Sequence, residues 1–230
     1  WASHYVLMAI PLFILMGFFA FRAGISSDLY DCAYKWIGHI PGGIAVATII
    51  ACGGFAATSG SSLACSGTMG AVAIPEMERN RYSKRLAAGC VAAGGTLGIL
   101  IPPSLAMIVY GSWMECSVAQ LFMGGVVPGV LLAVLFSVYI AVRCSIDPHL
   151  TPRVESTWID RLHSFKDLWP GVVIITFIMV SIYLGIMTPT ETAAVASAAA
   201  LLIAVALRKM SFRILYDCAM NTVRTTAMLM

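Results

Sequence analysis

Charge is scarce in this chain. Only 11% of its 230 residues are Asp, Glu, Lys or Arg, against about 25% in an average soluble domain. With 60% hydrophobic residues and a mean hydropathy of +0.89, a water-soluble fold is excluded. The scarcity is also selective. Acidic residues sit in loops, at interfaces or near the ends of apolar runs, and none falls within 44–75 or 86–110. A divalent-metal cage or a carboxylate proton relay therefore has no material there. Histidine is equally thin: His4, His39, His149 and His163 all lie at run edges or in loops. With no His, Lys or Asp at the depth of Ser59, Ser61 or Ser62, an intramembrane serine hydrolase has no base. The seven cysteines show no C-x-x-C pairing and lie mostly in or beside apolar runs, so they read as packing residues rather than as a disulfide or metal framework. The net charge of +3 implies no nucleic-acid partner, because the basic residues are confined to loops. An initiator Met is missing and the last residue, Met230, falls in an apolar run. A piece of a longer protein is the expectation.

What is present are apolar runs of about 17 to 25 residues, the length that crosses roughly 30 Å of hydrocarbon as helix. A crossing is expected over Tyr5–Phe21. An amphipathic interfacial helix follows over Ser26–His39, with Leu29, Ala33, Trp36 and Ile37 opposite Asp28, Asp31 and Lys35. Next come an arm over Ile44–Ala57, the polar knot Thr58–Ser62, a small-residue arm down to Pro75, and a charged loop over Glu76–Arg85. The chain re-enters over Leu86–Tyr110, interrupted at Gly94–Ser104. Crossings follow over Val118–Val142, Leu168–Met187 and Pro189–Leu207. A polar, Trp-bearing connection spans Arg143–Asp167, and Ser211–Met230 reads as an interfacial stretch entering a further crossing.

Read with 44–75 as a hairpin, all fourteen Lys and Arg residues, from Arg22 to Arg224, fall on one face. The positive-inside rule makes that face cytoplasmic. Trp36, Trp113, Trp158 and Trp169 read as headgroup-level belt residues.

The two interruptions carry the chemistry. Non-helical backbone at membrane depth is tolerated only where protein buries it or where it lines a cavity. Two half-helices meeting at Thr58–Ser62 present carbonyls from one C-terminus and N–H groups from the other N-terminus, suiting a cation and an anionic group respectively. Gly60 permits the turn. Gly94, Gly95 and Gly98 allow close approach, and Pro102 and Pro103 withhold two N–H donors. Hydroxyls and carbonyls without a carboxylate suit a monovalent hard cation, sodium above others. The structural readings count too. Gly67-x-x-Gly70 is ordinary close helix packing, and Thr188-Pro189-Thr190-Glu191 is a capping box with Pro at the first helical position.

The runs Phe55-Ala56-Ala57-Thr58-Ser59-Gly60-Ser61-Ser62, Ala73-Ile74-Pro75-Glu76-Met77 and Ala92-Ala93-Gly94-Gly95-Thr96-Leu97-Gly98-Ile99-Leu100-Ile101-Pro102-Pro103-Ser104 resemble the large membrane subunit of tripartite ATP-independent periplasmic (TRAP) transporters. Ile10-Pro11-Leu12-Phe13-Ile14-Leu15-Met16-Gly17 and Gly185-Ile186-Met187-Thr188-Pro189-Thr190-Glu191 add to the likeness, which covers nearly the whole chain. The resemblance implies an all-α polytopic inner-membrane protein with an inverted-repeat elevator fold, built from re-entrant hairpins and discontinuous helices. Its units here would be 1–40 (crossing and arm), 41–76 (re-entrant hairpin), 86–142 (discontinuous helix and crossing), 143–167 (cytoplasmic connection) and 168–230 (the start of a second repeat). It implies sodium-coupled import of organic acids, such as C4-dicarboxylates or sialic-acid-like carboxylates. A periplasmic binding protein would deliver them, and a small four-helix membrane subunit would be a fixed partner. No catalytic residue and no cofactor beyond the coupling ion is implied. Sodium would be held by Ser59, Gly60, Ser61, Gly94, Gly95, Thr96 and Gly98. The substrate cavity would be lined by Thr58, Ser59, Gly60, Ser61, Ser62, Pro102, Pro103 and Ser104. The alternatives are a sodium-coupled dicarboxylate or citrate carrier without a binding protein, and an ion channel.

Overall fold

The computed structural model describes residues 5–146, 164 and 167–229. Among them every regular element is helical and there is no strand. A 3-10 turn over Tyr5–Met8 leads into α1 (Ala9–Ala23), α2 (Ile25–Ile37), α3 (Gly43–Ser59), α4 (Ser62–Arg79), α5 (Lys84–Leu100), α6 (Leu105–Trp113), α7 (Val118–Ile146), α8 (Trp169–Tyr183), α9 (Pro189–Ala206) and α10 (Phe212–Leu229). The expected polar connection lies largely outside the described residues.

Among the described residues four stretches are long and apolar enough to cross a bilayer: Tyr5–Ala23, Lys84–Trp113, Val118–Ile146 and Pro189–Ala206. The chain is a multi-pass membrane protein. α7 makes the point physically. It buries a narrow strip through Phe122, Gly125, Gly129 and Ile140 and exposes Val127, Leu131, Val134, Leu135 and Val138. In water such a wall would be an aggregation surface; in hydrocarbon it costs nothing.

Two apolar cores organise the rest. One centres on α1 and joins Phe13 and Ile10 to Phe122, Ile178, Ala196 and Cys218, with Phe13 and Phe122 edge to face at 6.5 Å. The other centres on α3 and joins Ile49 and Phe55 to Met69, Met77, Leu97 and Ile140. α4 enters it by a strict four-residue stripe of Cys65, Met69, Ala73 and Met77, one face of a 3.6-residue helix. α2 lies along α3; Tyr30 and Ala33 are covered while Ser27 and Asp31 stay outside, as its amphipathic pattern predicts.

Three sequence-based boundaries need correction. α4 runs through Pro75 to Arg79, because the missing N–H of Pro75 falls on the helix's exposed side, where loss of one backbone bond is least costly. The knot at 58–62 shrinks to Gly60 and Ser61, since Thr58 and Ser59 close α3 and Ser62 opens α4. The second interruption starts at Ile101 rather than Gly94: 94–100 is regular α5, its glycines being tolerated in the helix by the packing described below.

Candidate functional site

α3 and α4 form a tight helical hairpin whose turn is two residues long. Gly60 takes the left-handed conformation, φ +64, which a side chain disfavours, and its N–H donates back to Ala56 O at 2.9 Å. Ser61 is extended and caps α4: its hydroxyl accepts from Ala64 N at 3.3 Å and its carbonyl from Cys65 N at 2.9 Å. The first N–H groups of α4 and the last carbonyls of α3 thus meet at one point.

The second break follows from covalent structure. Pro102 and Pro103 have no N–H to return to Gly98 and Ile99 four residues back, so α5 stops at Leu100. Residues Ile101 to Ser104 form a bent, non-helical link to α6, with Ile101 and Ser104 themselves extended. The first amide of α6, Leu105 N–H, then donates to Gly60 O at 3.0 Å. The two breaks are therefore joined backbone to backbone. The contact has no room for a side chain, since a β-carbon on Gly60 would stand 2.8 Å from Pro103 O.

Burial sharpens the picture. Thr58, Ser59 and Ser104 are 0%, 2% and 0% exposed. Thr58 is satisfied locally, its hydroxyl donating to Phe55 O at 2.9 Å. Ser59 and Ser104 are not: their hydroxyls are buried without a hydrogen-bond partner, a condition costing about 1–3 kcal/mol apiece. Ser59 precedes Gly60 and Ser104 precedes Leu105, the two residues that this bond joins. Ser61 and Ser62 are half-buried, and Pro102 and Pro103 are buried.

The glycines of α5 play a packing role. A β-carbon on Gly94 would stand 2.6 Å from Cys52 Sγ, one on Gly95 would collide with Ser66, and one on Gly98 would reach the Ser61–Ser62 backbone at 2.9–3.0 Å. All three lie on the face that receives the hairpin. Thr96 does not. It is exposed, with its hydroxyl donating to Ala93 O at 2.6 Å, so the structure does not bring it to the junction. Gly67 faces open space, so only Gly70 of that pair is in helix contact, through Val91 at 3.6 Å. Glu191 closes the capping box as its spacing indicates, accepting from Thr188 N at 2.8 Å.

Sequence reasoning missed Gly17. α1 passes so close to the hairpin tip that a β-carbon there would stand 3.0 Å from Ser59 Cα. A lone glycine in an apolar run gave no sign of what it would face. The junction is thus a set of neutral oxygens at the negative end of α3, enclosed by α1, α5 and α6. Among the described residues no cluster of His, Cys, Asp or Glu offers a metal-ligand set.

Gly98→Ala should cost about 1–3 kcal/mol by forcing α5 off the hairpin backbone. Gly89→Ala, with nothing within 4 Å, should be neutral or gain about 0.5–1 kcal/mol. Thermal unfolding of the detergent-solubilised protein reads both, and equal stability of the two variants would show that hairpin and α5 are not pressed together.

The sequence profile of the tripartite ATP-independent periplasmic transporter, DctM component, matches residues 2–230. The chain is 45% identical over 199 residues to the C4-dicarboxylate TRAP transporter large permease protein DctM of Pseudomonas aeruginosa, covering 85% of this chain and 46% of that protein. It is 42% identical over 198 residues to the protein of the same name from Vibrio cholerae, covering 85% and 43%. The sialic acid TRAP transporter large permease protein SiaM of Vibrio cholerae is 31% identical over 227 residues, covering 98% and 53%. The chain spans about half the length of these curated relatives, all of them permeases and none an enzyme. A match over nearly every residue, together with a crossing-helix architecture, means that this chain belongs to the DctM family of TRAP transporter large permeases.

Proposed function

We propose that the protein containing this chain imports organic acids by sodium symport across the bacterial inner membrane. The acids are C4-dicarboxylates or sialic-acid-like carboxylates, the classes named for the relatives. A periplasmic binding protein delivers them and a small membrane subunit completes the permease. The observation that carries this reading is the bond from Leu105 N–H to Gly60 O, flanked by the buried, partnerless hydroxyls of Ser59 and Ser104. Sodium needs several neutral or negative oxygens and tolerates irregular geometry. Ser59, Ser104, the end of α3 at Gly60 and Ser61, and the carbonyl of Gly98 supply them without a carboxylate. Gly94 and Gly95 then act by permitting close packing, and Thr96 falls outside the ligand set. A substrate carboxylate suits the other side of the turn, where Ser61 and Ser62 stand at the positive end of the α4 dipole. In this reading the ion joins the hairpin to the broken helix, and its binding energy favours the loaded, movable state. Movement of the α3-centred core against the α1-centred core is the elevator step.

In the full-length transporter, Ser59→Ala and Ser104→Ala should each raise the sodium concentration for half-maximal uptake by about ten-fold, the loss of roughly 1.4 kcal/mol per ligand. Thr96→Val should stay within about two-fold of wild type. Uptake measured against a sodium series decides. Unchanged sodium dependence in both serine variants rejects the site.

Sidedness has a built-in reporter. Cys116 is exposed, whereas the other six cysteines are buried, and it lies in the turn between α6 and α7, on the face without Lys or Arg. A membrane-impermeant maleimide should label Cys116 from the periplasmic side of spheroplasts and not from the cytoplasmic side of inverted vesicles. The reverse pattern would turn the topology over.

A further inference from the structure

α1 and α9 pack side by side and in parallel. Thr190 Oγ1 donates to Tyr5 O at 3.0 Å at one end, and Lys209 Nζ donates to Ala23 O at 2.7 Å at the other. The second bond spans 186 residues, and the same offset relates two identical pentapeptides. Leu29-Tyr30-Asp31-Cys32-Ala33 of α2 recurs as Leu215-Tyr216-Asp217-Cys218-Ala219 of α10. Arg22 and Arg208, at the ends of α1 and α9, are related in the same way. Each pair is thus an apolar helix, a joint and an amphipathic helix, and each joint holds a left-handed residue, though at positions the offset does not relate: Gly24 at φ +89 and Arg208 at φ +55. Under this offset Ala23 and Lys209 are equivalent positions, and they touch.

The contact is a specific one. The last carbonyls of a helix have no donor of their own and sit at the negative end of its dipole, so a lysine there is doubly favoured. Here the lysine that caps α1 comes from the joint after α9. Its own position is set by the end of α9, where Lys209 N–H donates to Ala204 O at 3.0 Å. Gly24 makes room for it, since a β-carbon at Gly24 would stand 2.5 Å from Nζ, with Asp28 Oδ2 at 4.0 Å from the same point. Burial holds the Asp28 carboxyl above its ordinary range, while the charge of Lys209 draws it down. Arg22 also reaches across, acting on Cys218 of α10.

We propose that Lys209 is a positioning residue that couples the two joints, so that α2 and α10 tilt together on the α1–α9 pair rather than independently. α2 leads directly to the α3–α4 hairpin, so the lysine fixes the pivot from which that hairpin is carried. The consequence for transport rests on the sodium-symport reading. The coupling itself does not.

The test uses the full-length protein in liposomes, with Cys116→Ser to remove the exposed thiol and spin labels at the exposed, equivalent positions Ser27→Cys and Arg213→Cys. With Lys209 intact, the distance distribution should be single and narrow. Lys209→Met should broaden it and Lys209→Arg should restore it. Lys209→Ala should broaden it as Lys209→Met does, and decides the matter should the methionine variant fail to fold. In uptake, Lys209→Met should lower turnover about five-fold while leaving the sodium concentration for half-maximal uptake within about two-fold, the signature of a step after binding. An unchanged distance distribution in Lys209→Met overturns the proposal, as does broadening that Lys209→Arg leaves in place, or a sodium requirement that rises in parallel with the loss of turnover. Sodium-independent uptake by the wild type would instead sink the symport reading and leave the distance result standing.

Discussion

Backbone amides inside a bilayer have no water to fall back on, and this one constraint shapes the centre of the molecule. A chain that abandons the helix at Gly60 and again at Ile101–Ser104 must satisfy what it frees. It does so by pairing one break with the other, through Leu105 N–H and Gly60 O. That bond requires the hairpin tip and the α5–α6 junction to meet at backbone distance, and hence the bare surfaces of Gly60, Gly94, Gly95 and Gly98. At Gly60 a side chain would meet Pro103 O and part the two breaks, leaving backbone groups unpaired at a cost of several kcal/mol each in hydrocarbon.

The same economy leaves Ser59 and Ser104 unsatisfied. A hydroxyl buried unpaired costs the local fold about 1–3 kcal/mol that alanine at the same position would not. Thr58, one residue earlier, shows how easily a hydroxyl at this end of α3 is paired within the helix, through Phe55 O. Ser59 and Ser104, each next in sequence to a residue of the Leu105–Gly60 bond, are the unpaired oxygens on which the proposed ion site rests. A fully paired junction would be rigid and indifferent to an ion.

Much of this was legible in the sequence because it rests on residues whose backbone chemistry is nearly context-free. Gly60 in a polar knot, the consecutive prolines at 102 and 103, and the Thr188–Glu191 box each dictate a local conformation, and each adopts it. The amphipathic period of α2 likewise survives into the fold. Gly94, Gly95 and Gly98 misled for the opposite reason: glycine is equally at home in a break and in a tightly packed helix, and only the positions of Cys52, Ser66 and the Ser61–Ser62 backbone decide between them. Thr96 followed the same error. Once 94–100 is helical, Thr96 must point away from the face shared by Gly94 and Gly98. Lys209 could not be foreseen at all, since its partner is a carbonyl 186 residues away.

The division of the interior into two cores bears on how such a chain could move. The α1-centred and α3-centred clusters are internally well interlocked, yet α1 meets the hairpin tip through Gly17, a residue with no side chain to interdigitate. A surface of that kind resists sliding less than ridges set into grooves. The connection between the cores through α2 starts at Gly24 and ends at Gly42, both at positive φ, where glycine can change conformation without the penalty any other residue meets. Hinges of large amplitude need a few residues free to take up φ and ψ changes while the elements between them stay intact. α2 has one such residue at each end and a regular helix between. A channel needs only a lined path and has no use for a jointed strut, whereas a carrier that must present one site to two sides of a membrane cannot do without a moving part. In the carrier proposed above, α2, jointed at Gly24 and Gly42, is the element that would supply that part.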